Sequence, residues 1–466
     1  MYCAIVKVLM SAAEQEAPVR ILLILPFDRT YRYRKSAFSV AISYAPLTLI
    51  TLAALVPPHL NAELTLCDEG VSPPVTAGDF DLVVITATAS SSPRAYALCR
   101  YWRERGARTA MGGAHVTLQP DEAAQHADTV LIGAGELIWP QFLQDMADGH
   151  PQPRYQHRPE RGFLPMPVPR RDLLPSRAYM NIATIIADRG CPLACEFCSV
   201  QHQWGRKGTA RPAADVINEI KQSGRQRWIF LDPNLYADRQ YSLELFRALI
   251  PLKIRWSGLA TLNVTDDDEV FRAMCDSGCE GLLIGLENLS QQTMTATGKN
   301  CNQVSEYRRQ IRRLRDNRIA ALGCFVLGFD QDTPESIRDT IRQIPSLGLD
   351  LVRFSVLTPL PGTRLWQRMA ENGRLITQDL SLYDNEHVVF QPQNMSPETL
   401  QSLLHEAWRE TYRLTAILRR VLHRPGSRFI RLAANLGFRL YARRLRHEKS
   451  GLFNPAIVTN NTRKTD

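Results

Sequence analysis

Three cysteines lie within one short run of the sequence, Arg189-Gly190-Cys191-Pro192-Leu193-Ala194-Cys195-Glu196-Phe197-Cys198. Their spacing is C-x₃-C-x₂-C. Three thiolates on one loop turned by Gly and Pro can wrap one face of a four-iron cubane, leaving one iron without a protein ligand. An open position on a catalytic metal is where a substrate binds. The alternative, a zinc site, needs a fourth Cys or His at the usual spacing, and His202 is the nearby candidate.

This motif resembles that of the radical S-adenosylmethionine superfamily, and the resemblance covers residues 180–395. It implies that the three cysteines hold a 4Fe-4S cluster whose open iron binds S-adenosylmethionine. The segment that begins at Asp232 departs from the family's Gly-Gly-Glu form, and an ordinary ion-paired carboxylate is the alternative for Glu287. The resemblance assigns Phe197 to the adenine, Asp232 and Asn234 to the methionyl amino group, Glu287 to the ribose, and Val326 and Gly328 to the adenine through the backbone.

The chemistry that the resemblance implies is radical chemistry. In the family, the reduced cluster breaks a C–S bond and releases a 5′-deoxyadenosyl radical, which abstracts hydrogen from an unactivated C–H bond. An electron donor such as flavodoxin or ferredoxin is therefore implied. The protein's share is to hold the cofactor, exclude water and place one substrate hydrogen within reach.

Six apolar runs alternate with helical patterns around these residues. They are predicted strands at 182–188, 228–232, 254–261, 281–287, 320–327 and 351–357, with helices between them, for example at 213–222 and 304–317. Such repetition predicts a parallel (β/α)₆ partial TIM barrel whose site lies at the carboxyl ends of the strands. Residues 176–395 are assigned to this barrel.

The N-terminal part has the same alternation. Runs at 19–26, 80–86, 107–111 and 129–132 predict buried parallel strands of a Rossmann-like doubly wound sheet, so residues 1–148 form a separate α/β domain. Seven prolines within 149–175 predict an extended linker.

The order of Rossmann-like domain, linker and barrel resembles the cobalamin-binding branch of the superfamily. The usual Asp-x-His-x-x-Gly motif is missing, because Phe27-Asp28-Arg29-Thr30-Tyr31 has no His. His115 could approach the cofactor or be a loop histidine bonded to backbone, and the domain could instead serve only as a scaffold. Under the resemblance, the predicted cobalamin contacts are Thr86, Thr88, Ser90, Gly112, Gly113, Gly133 and Glu136.

The net charge of +9 comes from the C-terminal end. Ten arginines, and no Asp, Glu or Lys, lie between Thr411 and His447. Residues 396–466 are predicted to be mostly helical, and apolar residues recur among the arginines at amphipathic spacing. Such a segment suits an anionic membrane surface, a bulky acidic substrate or a cap packed on the barrel. Nucleic acid is not expected, since no binding fold or aromatic platform is visible.

These features predict an enzyme. The leading hypothesis is a cobalamin-dependent radical methyltransferase that methylates an unactivated carbon of a hydrophobic or polycyclic metabolite. The alternatives are an oxidative cyclase of the anaerobic tetrapyrrole-cyclase type, which shares every motif named, and a cobalamin- or redox-sensing regulator. With no secretory signal and no apolar run long enough to span a bilayer, a cytoplasmic location is expected, with contact to the inner membrane face as an option.

Overall fold

The computed structural model describes residues 18–28, 44–157, 166–206, 209–422 and 428–445. These residues form two parallel six-stranded sheets with flanking helices, followed by a helical C-terminal part. The predicted fold class is confirmed. Within the described ranges, no helix is both long and apolar enough to cross a bilayer.

The first sheet contains β1 (Arg20–Leu25), β2 (Glu63–Asp68), β3 (Leu82–Thr86), β4 (Arg108–Gly112), β5 (Thr129–Gly133) and β6 (Arg154–His157). Its order is β2-β1-β3-β4-β5-β6. The chain reverses direction across the sheet between β1 and β3, and ligands of open α/β sheets bind at such a switch point. Around the sheet lie α1 (Leu47–Ala54), α2 (Ser92–Arg103), α3 (Ala114–Leu118), α4 (Pro120–Ala123) and α5 (Gly135–Ala147).

The second sheet begins with β7 (Ala183–Ile185), and its order, β14-β13-β12-β11-β10-β7, follows the chain as a partial barrel does. The antiparallel pair β8 (Asp188–Arg189) and β9 (Thr209–Ala210) follows β7. The remaining strands are β10 (Arg227–Phe230), β11 (Arg255–Leu259), β12 (Cys279–Glu287), β13 (Ala320–Leu327) and β14 (Leu351–Val356). Around them lie α6 (Val200–Trp204), α7 (Ala213–Ser223), α8 (Arg239–Leu249), α9 (Asp268–Asp276), α10 (Gln291–Ala296), α11 (Tyr307–Asp316), α12 (Pro334–Leu347) and α13 (Arg364–Glu371).

Alternation along the barrel strands separates two faces. In β13 the side chains of Ala321, Phe325 and Leu327 are buried against the helices. Their neighbours Cys324 and Val326 point to the opposite, concave face and are only half-buried. The concave face is therefore open to a ligand.

The C-terminal helices are α14 (Pro397–Thr411), α15 (Leu414–Leu422) and α16 (Arg428–Leu445). They cover β14, which is an edge strand. The Tyr412 hydroxyl donates to the carbonyl of Val352 (2.6 Å) and accepts from its N–H (2.9 Å), satisfying backbone groups that an edge exposes. Arg431 of α16 pairs with Asp350 at 3.1 Å.

Four strands differ from the sequence prediction. β6 lies within the stretch 149–175 that was predicted to be a linker, and it pairs with β5 as the edge of the first sheet. β2, at the other edge, was not predicted because most of its residues are only partly buried. The β8–β9 pair was also not predicted; β8 directly precedes the cysteine loop and β9 follows it.

Candidate cofactor site

The cysteine loop begins at the end of β8. Gly190 has φ +102°, a conformation that glycine adopts without strain, and it turns the chain toward Cys191. The thiol of Cys195 is buried, whereas Cys191 and Cys198 are half-buried. The backbone N–H of Cys198 donates to the carbonyl of Cys195 at 3.2 Å, which tightens the second half of the loop.

Two neighbouring segments brace the loop. Arg364, at the start of α13, donates to the carbonyl of Ala194 at 2.6 Å, and Arg368 pairs with Glu196 at 2.8 Å. On the other side, the N–H of Glu196 donates to the carbonyl of Thr297 at 3.3 Å. A Cβ on Gly298 would lie 2.9 Å from the Ala194 carbonyl oxygen, so only glycine permits this approach. The loop is fixed by its surroundings.

The donor set of the loop fits an iron–sulfur cluster. Among the described residues, no group of three or more His, Cys, Asp and Glu side chains converges on a position for a metal ion. A cubane suits three thiols on one loop, since each thiolate binds a different iron and the sulfur atoms need not converge.

Lys299 places a buried positive charge beside these thiols. Burial raises the pKa of the Cys195 thiol to about 12, and Lys299 opposes that rise. Burial would lower the pKa of Lys299, but Glu287 and Cys195 raise it, so the ammonium stays charged. This residue was not found from the sequence, where it stands alone in a loop.

Glu287 ends β12 and forms an ion pair with Lys299. Its φ of +62° is unusual for a non-glycine residue and marks a position held by its surroundings. A Cβ on Gly285 would collide with both partners of the pair. Glu287 therefore forms the ion pair that was the alternative to a ribose contact. A contact with the ribose would be made in addition to this pair.

The two polar residues after β10 face in different directions. Asp232 has no exposed surface, and its carboxylate accepts from the N–H groups of Ala187 (3.1 Å) and Asp188 (2.5 Å). The Asp232 side chain thus braces the strand before the cysteine loop, and its contact with the methionyl amino group stays a prediction. Asn234 accepts from Thr261 N–H at 3.1 Å. Burial raises the pKa of Cys191, and a hydrogen bond from Asn234 lowers it, which places that amide at the loop.

The predicted adenine contacts lie at the end of β13. Phe197 of the loop meets Phe329 edge-on, with ring centroids 5.8 Å apart. Gly328 has φ +102°, and its N–H donates to Asp332 at 2.9 Å. Asp332 also accepts from Phe329 N–H at 3.1 Å, so a buried carboxylate that the sequence did not reveal shapes this turn. Val326 lies half-buried on the concave face.

The predicted cobalamin residues surround the switch point of the first sheet. Thr88 and Ser90, which follow β3, donate to Asp28, which follows β1, at 2.6 and 3.0 Å. This polar cluster spans the crevice between the two strands. Residues 29–31 lie outside the described ranges. His115 is buried, and its Nε2 lies 2.7 Å from the Tyr96 hydroxyl. His115 thus has a partner within the chain.

Two of the three predicted glycines have a clear backbone role. Gly113 (φ +99°) follows β4, and a Cβ there would lie 2.6 Å from the Thr86 hydroxyl. Gly133 (φ +96°) ends β5, and a Cβ would collide with the carbonyl of His157. At Gly112 a Cβ would make only ordinary contact, 3.6 Å from Leu131.

Glu136 joins the two sheets. Its carboxylate accepts two hydrogen bonds from Arg189, at 2.6 and 2.8 Å. Burial would raise the pKa of Glu136, but Arg189 lowers it overall. The guanidinium also lies 4.4 Å from the ring centroid of Trp204. Both oxygens of Glu136 thus bind the residue that precedes Gly190, and a contact of Glu136 with cobalamin stays a prediction.

Two stretches of the chain match known protein families. Residues 185–344 match the Radical SAM superfamily, and residues 363–425 match a domain of unknown function, DUF4070. Bacteriochlorophyllide d C-12(1)-methyltransferase of Chlorobaculum tepidum is 28% identical over 89% of this chain and 92% of that protein. Hopanoid C-2 methylase of Rhodopseudomonas palustris is 24% identical over 79% of this chain and 73% of its own.

One relative carries the cyclase activity weighed above, and one solved structure covers most of the chain. Anaerobic magnesium-protoporphyrin IX monomethyl ester cyclase of Cereibacter sphaeroides is 28% identical over 48% of this chain and 40% of that protein. The structure of the radical S-adenosylmethionine methyltransferase TsrM from Kitasatospora setae, with cobalamin and [4Fe-4S] cluster bound, superposes with a TM-score of 0.65. It is 16% identical and covers 92% of this chain and 100% of its own, which shows a shared fold.

Proposed function

We propose that this chain, which belongs to the radical S-adenosylmethionine superfamily, is a cobalamin-dependent methyltransferase acting on an unactivated carbon of a hydrophobic, polycyclic metabolite. One observation carries the proposal. Arg189, two residues before Cys191, is bonded through Glu136 to the helix that follows β5. The cysteine loop is thus fixed to the ligand-binding edge of the first sheet, as an enzyme that uses two cofactors together requires.

When bound, the cluster with S-adenosylmethionine would supply a carbon radical that abstracts hydrogen, and cobalamin would supply a methyl group. The chain's own residues hold and separate these groups. Cys191, Cys195 and Cys198 would ligate the cluster, and Lys299 would balance part of its negative charge. Asn234, Glu287, Phe197, Val326 and Gly328 would surround S-adenosylmethionine on the concave face.

Cobalamin would lie at the edge of the first sheet. The crevice between β1 and β3 has hydroxyl groups from Thr88 and Ser90 and an acceptor in Asp28. These groups can bond the polar tail of a nucleotide-like cofactor. Gly113 lets the turn after β4 approach Thr86 and Ala87 closely, because a Cβ there would collide with both. Thr86 and Gly133 support the same edge.

The relatives favour methylation over cyclisation. The bacteriochlorophyllide methyltransferase aligns over nearly its whole length, whereas the cyclase aligns over 40% of its own. Both methylase relatives act, by name, on a tetrapyrrole or a hopanoid. A large, mostly apolar polycyclic substrate for this chain follows by analogy.

The organisation that we propose has four parts: residues 1–148 for cobalamin, 149–175 as a connection that also supplies β6, 176–395 for radical chemistry, and 396–466 as a helical end. Reduction of the cluster requires an electron donor such as flavodoxin or ferredoxin. Membrane contact by the helical end is argued separately below.

Product analysis tests the proposed function. Anaerobically reconstituted protein, supplied with S-adenosylmethionine, cobalamin and reductant, is incubated with an extract of a strain that lacks the gene. We expect one metabolite to gain the mass of a methylene, and both S-adenosylhomocysteine and 5′-deoxyadenosine to form. A product that has lost hydrogen, with 5′-deoxyadenosine alone, would establish the cyclase instead.

A further inference from the structure

The described residues expose few large apolar side chains, and most of these lie together. Of eleven such side chains, seven belong to α15 and α16. Leu414, Leu418 and Leu422 are 54%, 52% and 56% exposed and recur every four residues along α15. Ile417 and Val421, on the adjacent side of the same helix, are buried. The barrel thus covers only part of the apolar face of α15, and the three leucines are the part that it leaves exposed.

α16 continues the pattern. Phe429, Leu436 and Leu440 follow one another at intervals of seven and four residues, so they form a stripe along one side of the helix. Phe429 is 80% exposed. We call the stripes of the two helices the apolar ridges.

The two helices form an antiparallel hairpin. Arg420 in α15 donates to Asn435 at 2.6 Å, and Arg439 in α16 donates to the carbonyl of Tyr412, before α15, at 2.7 Å. These contacts pair the last turn of α15 with the middle of α16, and the residue before α15 with the later part of α16. The two apolar ridges thus belong to one packed unit.

The arginines of the hairpin serve two purposes. Arg431 pairs with Asp350 and so fastens the hairpin to the barrel, whereas Arg420 and Arg439 bond to the hairpin itself and to the residue before it. Arg419 and Arg443 are exposed. No Asp, Glu or Lys lies between Thr411 and His447, so no acidic residue of the hairpin itself offsets this charge.

A basic cavity flanks α15. Its volume is about 800 Å³, and Ala416 and Arg419 contribute to its wall beside residues of α12 and α14. Two glutamates, Glu406 and Glu410, also line it, and they pair with Arg338 (3.5 Å) and Arg413 (3.3 Å). Arginine is nevertheless in clear excess. The arginines of its wall are Arg315, Arg338, Arg342, Arg413, Arg419 and Arg420.

We propose that the α15–α16 hairpin docks on an anionic phospholipid bilayer, with the apolar ridges in the acyl region and the exposed arginines at the phosphates. Apolar side chains beside arginines, on two helices that carry no acidic residue, match the two layers of such a surface. A protein partner in solution would have to present a groove that fits both ridges. Since the hairpin packs on the barrel through Ile417, Val421 and the Arg431–Asp350 pair, docking brings this side of the barrel to the bilayer. Entry of a lipid-dissolved substrate at this side rests on the proposed function. The docking itself does not depend on that function.

Vesicle co-sedimentation of the full-length reconstituted protein tests this inference. The vesicles are phosphatidylcholine alone, or equal parts of phosphatidylcholine and phosphatidylglycerol. We expect binding to the mixed vesicles only, and its loss at high salt. Arg443→Gln should weaken binding about fivefold, and Leu418→Ser about tenfold. The matched controls, Arg255→Gln and Ile376→Ser, change exposed residues outside the hairpin and should bind as the wild type does.

Three results would overturn the docking: equal binding to both vesicle types, no binding at low salt, or wild-type binding by L418S and R443Q. Dimerisation without vesicles that L418S abolishes would identify a second copy as the occupant instead. Formation of 5′-deoxyadenosine without vesicles is measured for each variant. A variant that loses vesicle binding but forms 5′-deoxyadenosine at the wild-type level supports the docking, whatever the methylation assay shows.

Discussion

Arg189 and Glu136 form a buried, two-bond ion pair across the boundary between the two sheets, with N···O distances of 2.6 and 2.8 Å. Removing one partner of such a pair leaves the other charge buried, which costs about 3–5 kcal/mol. We predict that Glu136→Ala lowers the free energy of unfolding by roughly that amount, measured by denaturant titration of the apoprotein. The double variant Glu136→Met with Arg189→Met should recover part of the loss. A loss below about 1 kcal/mol, the range of exposed pairs, would contradict the pair's role.

The cluster ligands are the second prediction. Cys191→Ala, Cys195→Ala or Cys198→Ala should each remove the brown iron–sulfur absorption and all formation of 5′-deoxyadenosine, because each thiolate binds a different iron. The controls are Cys275→Ala and Cys279→Ala, which pack against the barrel core away from the loop. Loss of the cluster in these controls, or its retention without Cys195, would show that the ligands are wrongly assigned.

Much of this site could be predicted from the sequence because its residues are local. The cysteine spacing lies within one loop, and β13 was predicted with its observed bounds, since it alternates and is long. Contacts between distant segments had no local signal. Lys299 reaches Glu287 and the cysteine loop through folding alone, and Arg189 meets Glu136 from 53 residues away. β6 lies in a proline-rich stretch whose composition predicted a linker. It can still form a strand because an edge strand pairs with only one neighbour.

Lys299 supplies the third prediction. Lys299→Met removes a buried positive charge beside the thiols and should make the cluster harder to reduce. The midpoint potential should fall by on the order of tens of millivolts, since one tenfold change in equilibrium corresponds to 59 mV for one electron. Glu287→Gln with Lys299→Met controls for the carboxylate left unpaired. A potential unchanged in both variants, by redox titration followed by electron paramagnetic resonance, would contradict this electrostatic role.

The pH dependence of stability is the fourth prediction. Burial raises the pKa of Glu386 from 4.5 to about 7, with Asp384 adding to the rise, and Tyr441, Arg353 and His387 opposing it. The folded chain then binds this proton more tightly than the unfolded chain, so stability is lost as pH rises between those two values. The loss is on the order of 3 kcal/mol. Glu386→Gln should flatten this part of the stability curve, measured by denaturation at several pH values. An unchanged slope would show that another group titrates.

Cobalamin retention is the fifth prediction. Gly113→Ala forces a Cβ to within 2.6 Å of the Thr86 hydroxyl at a positive φ, and this should distort the edge of the first sheet and lower retention several-fold. Gly106→Ala is the matched control, because Gly106 also has a positive φ but a Cβ there would meet nothing within 4 Å. Cobalamin absorbance per chain after repurification measures the effect. Equal retention by both variants would place the cofactor elsewhere.

The central claim is that this chain transfers a methyl group through radical chemistry that uses both cofactors. Its most direct test supplies S-adenosylmethionine with a deuterated methyl group to the reconstituted protein, cobalamin, reductant and the extract, followed by mass spectrometry. We predict a product that carries the deuterated methyl group, with S-adenosylhomocysteine and 5′-deoxyadenosine in equal amounts and neither formed without the cluster. Cleavage to 5′-deoxyadenosine with no S-adenosylhomocysteine and no label in any metabolite would contradict it.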